Sequence, residues 1–220
     1  MRLLLSFSLA LTLTLVAWPP LATAQLADSP WIYGIHWYGT TGATDVESMT
    51  GGKGVWDLEI SHLDAADTDA WNLPGWVGAN ILAPVGAKGH SFCLRIQPNW
   101  SRNVPNAADP YTVANYAADA KSAATTLAGY VHIWQVGNEV NLDGENMRWG
   151  GSDYTVSWQP TPAEYAATYI AVRDKIHEVT PTTNPATQYV LMQPNSPGNI
   201  IAGVRFMDGN EYLWRMIDAV

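Results

Sequence analysis

Cysteine is nearly absent from this chain. Cys93 is the only one, so no intramolecular disulfide can form, and its place in an apolar run reads as a small buried hydrophobe. Basic residues are scarce as well: 11 Lys and Arg stand against 20 Asp and Glu, a formal net charge of -9. That balance argues against nucleic acid or an anionic membrane surface as partner. Internal repeats, low-complexity tracts and linkers rich in Pro, Gly or Ser are all missing. So are G-x-G-x-x-G, G-x-S-x-G, H-E-x-x-H and P-loop motifs, which leaves no signature of a dinucleotide fold, a serine esterase or lipase, a zinc peptidase or a nucleotide hydrolase. No cofactor and no metal is expected.

Long apolar runs are missing too, except at the start. Arg2 is followed by an apolar run from Leu3 to Val16 and then by Ala22-Thr23-Ala24, the charged, apolar and small-residue order of a secretory signal peptide. A membrane anchor needs roughly 20 apolar residues with a stop-transfer flank. Residues 1–24 are therefore expected to be removed near Ala24–Gln25, sending the protein to an extracellular or periplasmic location with no membrane attachment. Residues 25–220 can bury a core as one domain, and a monomer is expected.

What the chain does contain is strand alternating with helix. Short runs rich in Val, Ile, Leu and aromatics occur at Ile32–Tyr38, Val55–Ile60, Ser91–Gln97, Val131–Gly137 and Gln188–Gln193, as expected of strands buried on both faces. Asp109-Pro110 predicts a helix start, followed by apolar residues at helical spacing from Val113 to Leu127 and closure at Gly129. Thr161-Pro162-Ala163-Glu164 is a capping box, with an apolar stripe from Tyr165 to Val179. The helix expected around Trp76 to Lys88 should be kinked by Pro84. A last helix starts near Asn210 or Glu211 and should still run at Val220. Such alternation means parallel strands joined by crossovers. With no glycine-rich turn after the first strand, a (β/α)8 barrel is favoured over a doubly wound sheet, truncated here after about five βα units.

In either architecture function gathers at the carboxyl ends of the strands. Those ends hold His36-Trp37-Tyr38, then Glu59 and His62, then Gln97-Pro98-Asn99-Trp100, then Asn138-Glu139, and finally Gln193-Pro194-Asn195. Glu139 directly follows a buried strand, where partial desolvation would raise its pKa and suit it to give a proton to a leaving oxygen. Asn138 could hydrogen-bond a sugar hydroxyl. A second Asn-Glu pair, Asn210-Glu211, only opens a helix. The 11 tryptophans supply flat faces that stack on sugar rings; Trp100 and Trp149 fall on loops after strands, whereas Trp76 and Trp214 read as packing residues. His132 and His177 read as structural. The loop with His62, Asp64, Asp67 and Asp69 reads as solvated, with calcium as its alternative. Asn99-Trp100-Ser101 is a glycosylation sequon.

The run Trp134-Gln135-Val136-Gly137-Asn138-Glu139-Val140-Asn141 resembles the fourth-strand signature of the clan A glycoside hydrolases, barrel enzymes that include cellulases, mannanases and β-xylosidases. The start YGIHWYG resembles their first strand. The family's motif has Pro after the Glu, where this chain has Val140. The resemblance implies a retaining O-glycosidase acting on a β-linked polysaccharide or oligosaccharide, with Glu139 as acid/base and Asn138 on the sugar 2-hydroxyl. Arg95 would match the arginine beneath the carboxylates. From their places at strand ends, His36, Trp37, Asn99, Trp100 and Asn195 are expected to face the carbohydrate, with a satisfied core histidine as the alternative for His36. The nucleophilic Glu of the family ends the seventh strand, which is expected beyond Val220, so the chain by itself should be inactive; Glu59 is a weaker stand-in. The alternative is a non-catalytic carbohydrate-binding protein on a degenerate barrel.

Overall fold

The computed structural model describes residues 34–36, 55–142, 146–151, 153–183, 186–195, 200–201, 204–205 and 209–220. The expected signal peptide and Trp37 lie outside them, and only the backbone of His36 is described. In chain order the elements are β1 (Gly34–His36), β2 (Trp56–His62), α1 (Pro74–Val77), α2 (Ala83–Gly86), β3 (Ser91–Gln97), α3 (Val113–Thr126), β4 (Val131–Val136), β5 (Met147–Trp149), β6 (Tyr154–Ser157), α4 (Pro162–His177), β7 (Tyr189–Met192), β8 (Ile200–Ile201), β9 (Val204–Arg205) and α5 (Gly209–Ile217).

The protein is a mixed α/β structure built on a parallel sheet. Its strands lie in the order β1-β2-β3-β4-β7, every pair parallel. The strands therefore follow chain order with no reversal. All five expected strands form, because each is a short apolar run that can bury at least one face.

The register sorts their side chains. Glu59, Leu94, Trp134 and Val190 share one row, and Ser61, Ile96, Val136 and Met192 the next. Leu94, Ile96, Trp134 and Val136 on this face are fully buried in one cluster with Tyr116, Ala120 and Ala124 of α3 and Tyr165, Tyr169, Val172 and Ile176 of α4. The opposite rows are Leu58, Cys93, Ile133 and Tyr189, then Ile60, Arg95, Gln135 and Leu191. That face is less covered: Tyr189 is 48% and Leu191 45% exposed.

Helix ends show where local chemistry decided. The Thr161 hydroxyl accepts from the Glu164 N–H, and the Glu164 carboxylate accepts from the Thr161 N–H at 2.7 Å, so α4 starts at its capping box as expected. Helix α3 does not start at Asp109. Thr112 caps it, in a reciprocal pair with Asn115, because the Asp109 carboxylate is buried and already accepts from Asn106 and from the Trp149 N–H.

The kinked helix expected around Trp76 to Lys88 is instead a series from Ala70 to Gly86: a 3-10 turn, α1, a wide π turn over Gly78–Leu82, and α2. Pro84 has no N–H to give, and the widened turn absorbs the misfit. Gly78 makes room there: a Cβ would sit 2.6 Å from Leu127 Cδ2 and the buried Leu127 side chain would have to shift.

Helix α5 ends at Ile217, short of Val220. Tyr212 and Met216, four residues apart, are its buried contacts, whereas Trp214 is 66% exposed. Trp76 is also exposed, so neither tryptophan is the packing residue expected. Two antiparallel hairpins, β5-β6 and β8-β9, have strands too short to announce themselves in the sequence.

Candidate functional site

The turn after β4 is held by its backbone. Gly137 (φ 72°) and Glu139 (φ 42°) both lie in the left-handed region, a strained choice for a glutamate. Four successive N–H groups fix it. Gly137 donates to Ile96 O at 2.9 Å and Glu139 to Pro194 O at 3.0 Å. Asn138 donates to Asn103 Oδ1 at 2.9 Å, and Val140 to Gln193 Oε1 at 3.0 Å. Gln135 closes the turn from below, its Nε2 on Gly137 O.

Two buried tyrosines tie the strand ends together: the Tyr116 hydroxyl donates to Ile96 O, and that of Tyr165 to Val136 O while accepting from the Gln193 N–H. Asn138 and Glu139 are left half-buried at the carboxyl edge of the sheet. Among the described residues no hydrogen bond engages the Glu139 carboxylate. A strained, rigidly held acid with an open carboxylate is suited to proton transfer.

Beside this turn, on the less covered face, are His62, Gln97 and Arg95. His62 is fully buried. Gln97 Nε2 reaches its Nε2 at 3.4 Å and Thr68 Oγ1 its Nδ1 at 3.0 Å. With Gln97 donating, the ring carries its proton on Nδ1. Burial, then the Arg95 charge, push the His62 pKa down to about 4, against the opposing pull of Asp69. The ring is therefore neutral at neutral pH. Arg95 shares its row with Gln135, one layer below the strand ends.

The other expected residues separate. Trp100 is 49% exposed and stands edge-on to His62, with ring centroids 4.9 Å apart. The Asn99 side chain is spent within the loops, donating to Asp67 O and accepting from the Trp100 N–H. Asn195 is held by Gln193 Nε2 beside Glu139's own backbone partner, Pro194. Glu59 is misplaced for a second carboxylate at this edge. It shares the helix-packed row with Leu94 and Trp134, and burial followed by the Asp57 charge pushes its pKa up to about 8, against the Ile60 N–H that lowers it.

The loop after β2 is not simply solvated. Asp64 and Asp67 both bind the buried Arg102, at 3.1 and 2.5 Å. Arg102 also lies 3.4 Å from the centre of the Tyr154 ring, pinning the β5-β6 hairpin over the sheet edge. Next to it opens a cleft of about 550 Å³ lined by Asp64, Asp67, Tyr111, Trp149, Asp153 and Tyr154 among others.

Neither protein-family models nor curated proteins yield a match to this chain. The site therefore rests on its own geometry. Sequence reasoning passed over Arg102, Asn103, Tyr111, Tyr154 and Tyr165, all of which organise this edge. None of them carried a signal in the sequence: Arg102 meets Asp64, Asn103 meets Asn138 and Tyr165 meets Val136 across long stretches of chain.

Proposed function

We propose that the protein is a secreted retaining O-glycosidase built on a (β/α)8 barrel, with Glu139 as its general acid/base. The observation that carries the reading is the strained, four-point anchored Gly137-Asn138-Glu139 turn at the carboxyl end of a central parallel strand. The barrel is supported by strand order that follows the chain without reversal, by helices packed on one face, and by the apolar, partly exposed opposite face. A parallel sheet needs cover on both faces, and further strands closing a barrel would supply it.

In this reading Glu139 protonates the glycosidic oxygen as a second carboxylate, about 5–5.5 Å away, attacks the anomeric carbon; Glu139 then takes a proton from the incoming water. Asn138 bonds the sugar hydroxyl next to the reacting carbon. Arg95 keeps positive charge beneath the carboxylates, and the neutral His62 ring with Trp100 forms one wall.

The test is kinetic. In the full-length protein, Glu139→Ala should lower kcat/KM on an alkyl β-glycoside by a factor of about 10² or more. The loss should be much smaller on an aryl glycoside whose leaving group needs no proton. An unchanged rate on the alkyl glycoside refutes the assignment. Carbohydrate binding without turnover of either substrate would indicate a binding protein on the same scaffold.

A further inference from the structure

The cleft beside Arg102 has a composition of its own. Its walls come from three segments at the same sheet edge: the loop after β2 (Asp64, Asp67), the loop before α3 (Tyr111) and the β5-β6 hairpin (Trp149, Asp153, Tyr154). About 550 Å³ lies within the range of small-ligand sites. The aromatic side is built: Trp149 and Tyr154 pack edge to face with ring centroids 5.0 Å apart. Asp109, buried behind them, accepts from the Trp149 N–H at 3.0 Å. The Arg102 guanidinium already occupies the Tyr154 ring at 3.4 Å and lies 5.8 Å from the Tyr111 ring, so Trp149 is the aromatic left to stack on a ligand.

The charge is one-sided. Among the described residues no Lys, Arg or His lines the cleft, whereas Asp64, Asp67 and Asp153 do. Arg102, the cation bound to them, sits beneath the surface at 2% exposure and offsets one carboxylate of its Asp64–Asp67 pair. With Asp109 behind Trp149, formal negative charge exceeds positive. A neutral sugar ring would gain stacking and hydroxyl hydrogen bonds but no attraction from the net charge, and a uronic acid would be repelled. A ring bearing an ammonium group gains stacking, a cation–π contact and the carboxylate field together.

We propose that this cleft is a subsite for a protonated amino sugar, so that the substrate is a β-linked glucan-type chain containing glucosamine units. The proposal rests on the glycosidase reading for its ligand class, but its test needs no turnover. A second groove, lined by Asp67, Asn99 and Trp100, adjoins the cleft through Ala66 and Asp67. Trp100 on the wall of that groove stands edge-on to His62, so a chain longer than one sugar has room beyond the cleft.

The experiment is isothermal titration of the full-length Glu139→Gln protein, at mildly acidic pH and low salt, with three hexamers: β-1,4-glucosamine, β-1,4-glucose and galacturonic acid. The glucosamine hexamer should bind several-fold more tightly than the glucose hexamer, the galacturonate should not bind, and added salt should narrow the gap. Asp153→Asn keeps the oxygen that accepts from the Tyr154 N–H and removes one charge. It should weaken glucosamine binding about two- to fivefold and leave glucose binding unchanged.

Trp149→Ala should weaken both. Equal affinity for the two hexamers, a preference for galacturonate, or an Asp153→Asn variant that binds glucosamine as before would each overturn the amino-sugar assignment. Binding that follows the expected pattern in a protein showing no turnover with Glu139 intact would leave this subsite standing and refute only the glycosidase reading.

Discussion

Glu59 should make the stability of this protein fall as pH rises. Its side chain is 2% exposed on the helix-packed face, one oxygen has no hydrogen-bond partner, and Asp57 lies two residues away on the same strand. Burial and that neighbouring charge hold its pKa at about 8, against 4.5 for an ordinary glutamate. The native state thus keeps this proton up to about pH 8, while the unfolded chain releases it near 4.5. Between those values the native state binds more protons than the unfolded one, so stability drops as pH increases. Each pH unit of that window costs about 1.4 kcal/mol, and the whole amounts to roughly 3–5 kcal/mol once relaxation of the site is allowed for.

Glu59→Gln removes the titration and preserves the shape. The amide brings its own burial cost, but that cost does not change with pH. Urea unfolding followed by tryptophan fluorescence, at pH values below 4.5 and above 8, gives the difference between the two proteins at each end. The variant should gain on the wild type by several kcal/mol across the window. A difference that stays constant with pH would refute the argument, because it would mean that Glu59 titrates alike in both states.

Gly137→Ala should destabilise by about 1–3 kcal/mol, since an L residue at its positive φ is strained and a Cβ would meet Asn103 O at 3.2 Å. Its effect on kcat/KM should exceed what the unfolded fraction explains, because the Glu139 carboxylate moves with the turn. Urea midpoints and initial rates on the same preparation check both, and full activity per folded molecule would count against the anchoring argument. Arg102→Met should cost about 3–5 kcal/mol by leaving Asp64 buried without its cation. Adding Asp64→Asn should recover a substantial part of that loss. A single-variant cost below about 1 kcal/mol would place the pair among weak surface bridges.

The legible parts of this protein were those written in neighbouring residues. Ser91–Gln97 forms β3 to the residue, because seven residues with Phe, Leu and Ile in alternation can only be a strand. The Thr161-Pro162-Ala163-Glu164 box starts α4 where expected, because both of its hydrogen bonds lie within four residues. Glu139 was legible for a related reason: an acid directly after a buried strand must emerge at the sheet's carboxyl edge. Asp109 misled for the opposite reason. Its side chain satisfies the local rules for a helix cap, yet its hydrogen bonds go to Asn106 and to Trp149, the latter far along the chain.

By itself, then, the sequence determined the strands, the α4 boundary and the place of Glu139, since periodicity and capping are contacts between near neighbours. Only the tertiary structure decided which face Glu59 turned to, that Arg102 would bind Asp64 and Asp67 beneath Tyr154, and that Asn103, Pro194 and Gln193 would clamp the turn bearing Glu139. Those outcomes depend on sheet register and on loops from different strands meeting at one edge, and no local pattern encodes which distant partner a polar group will find.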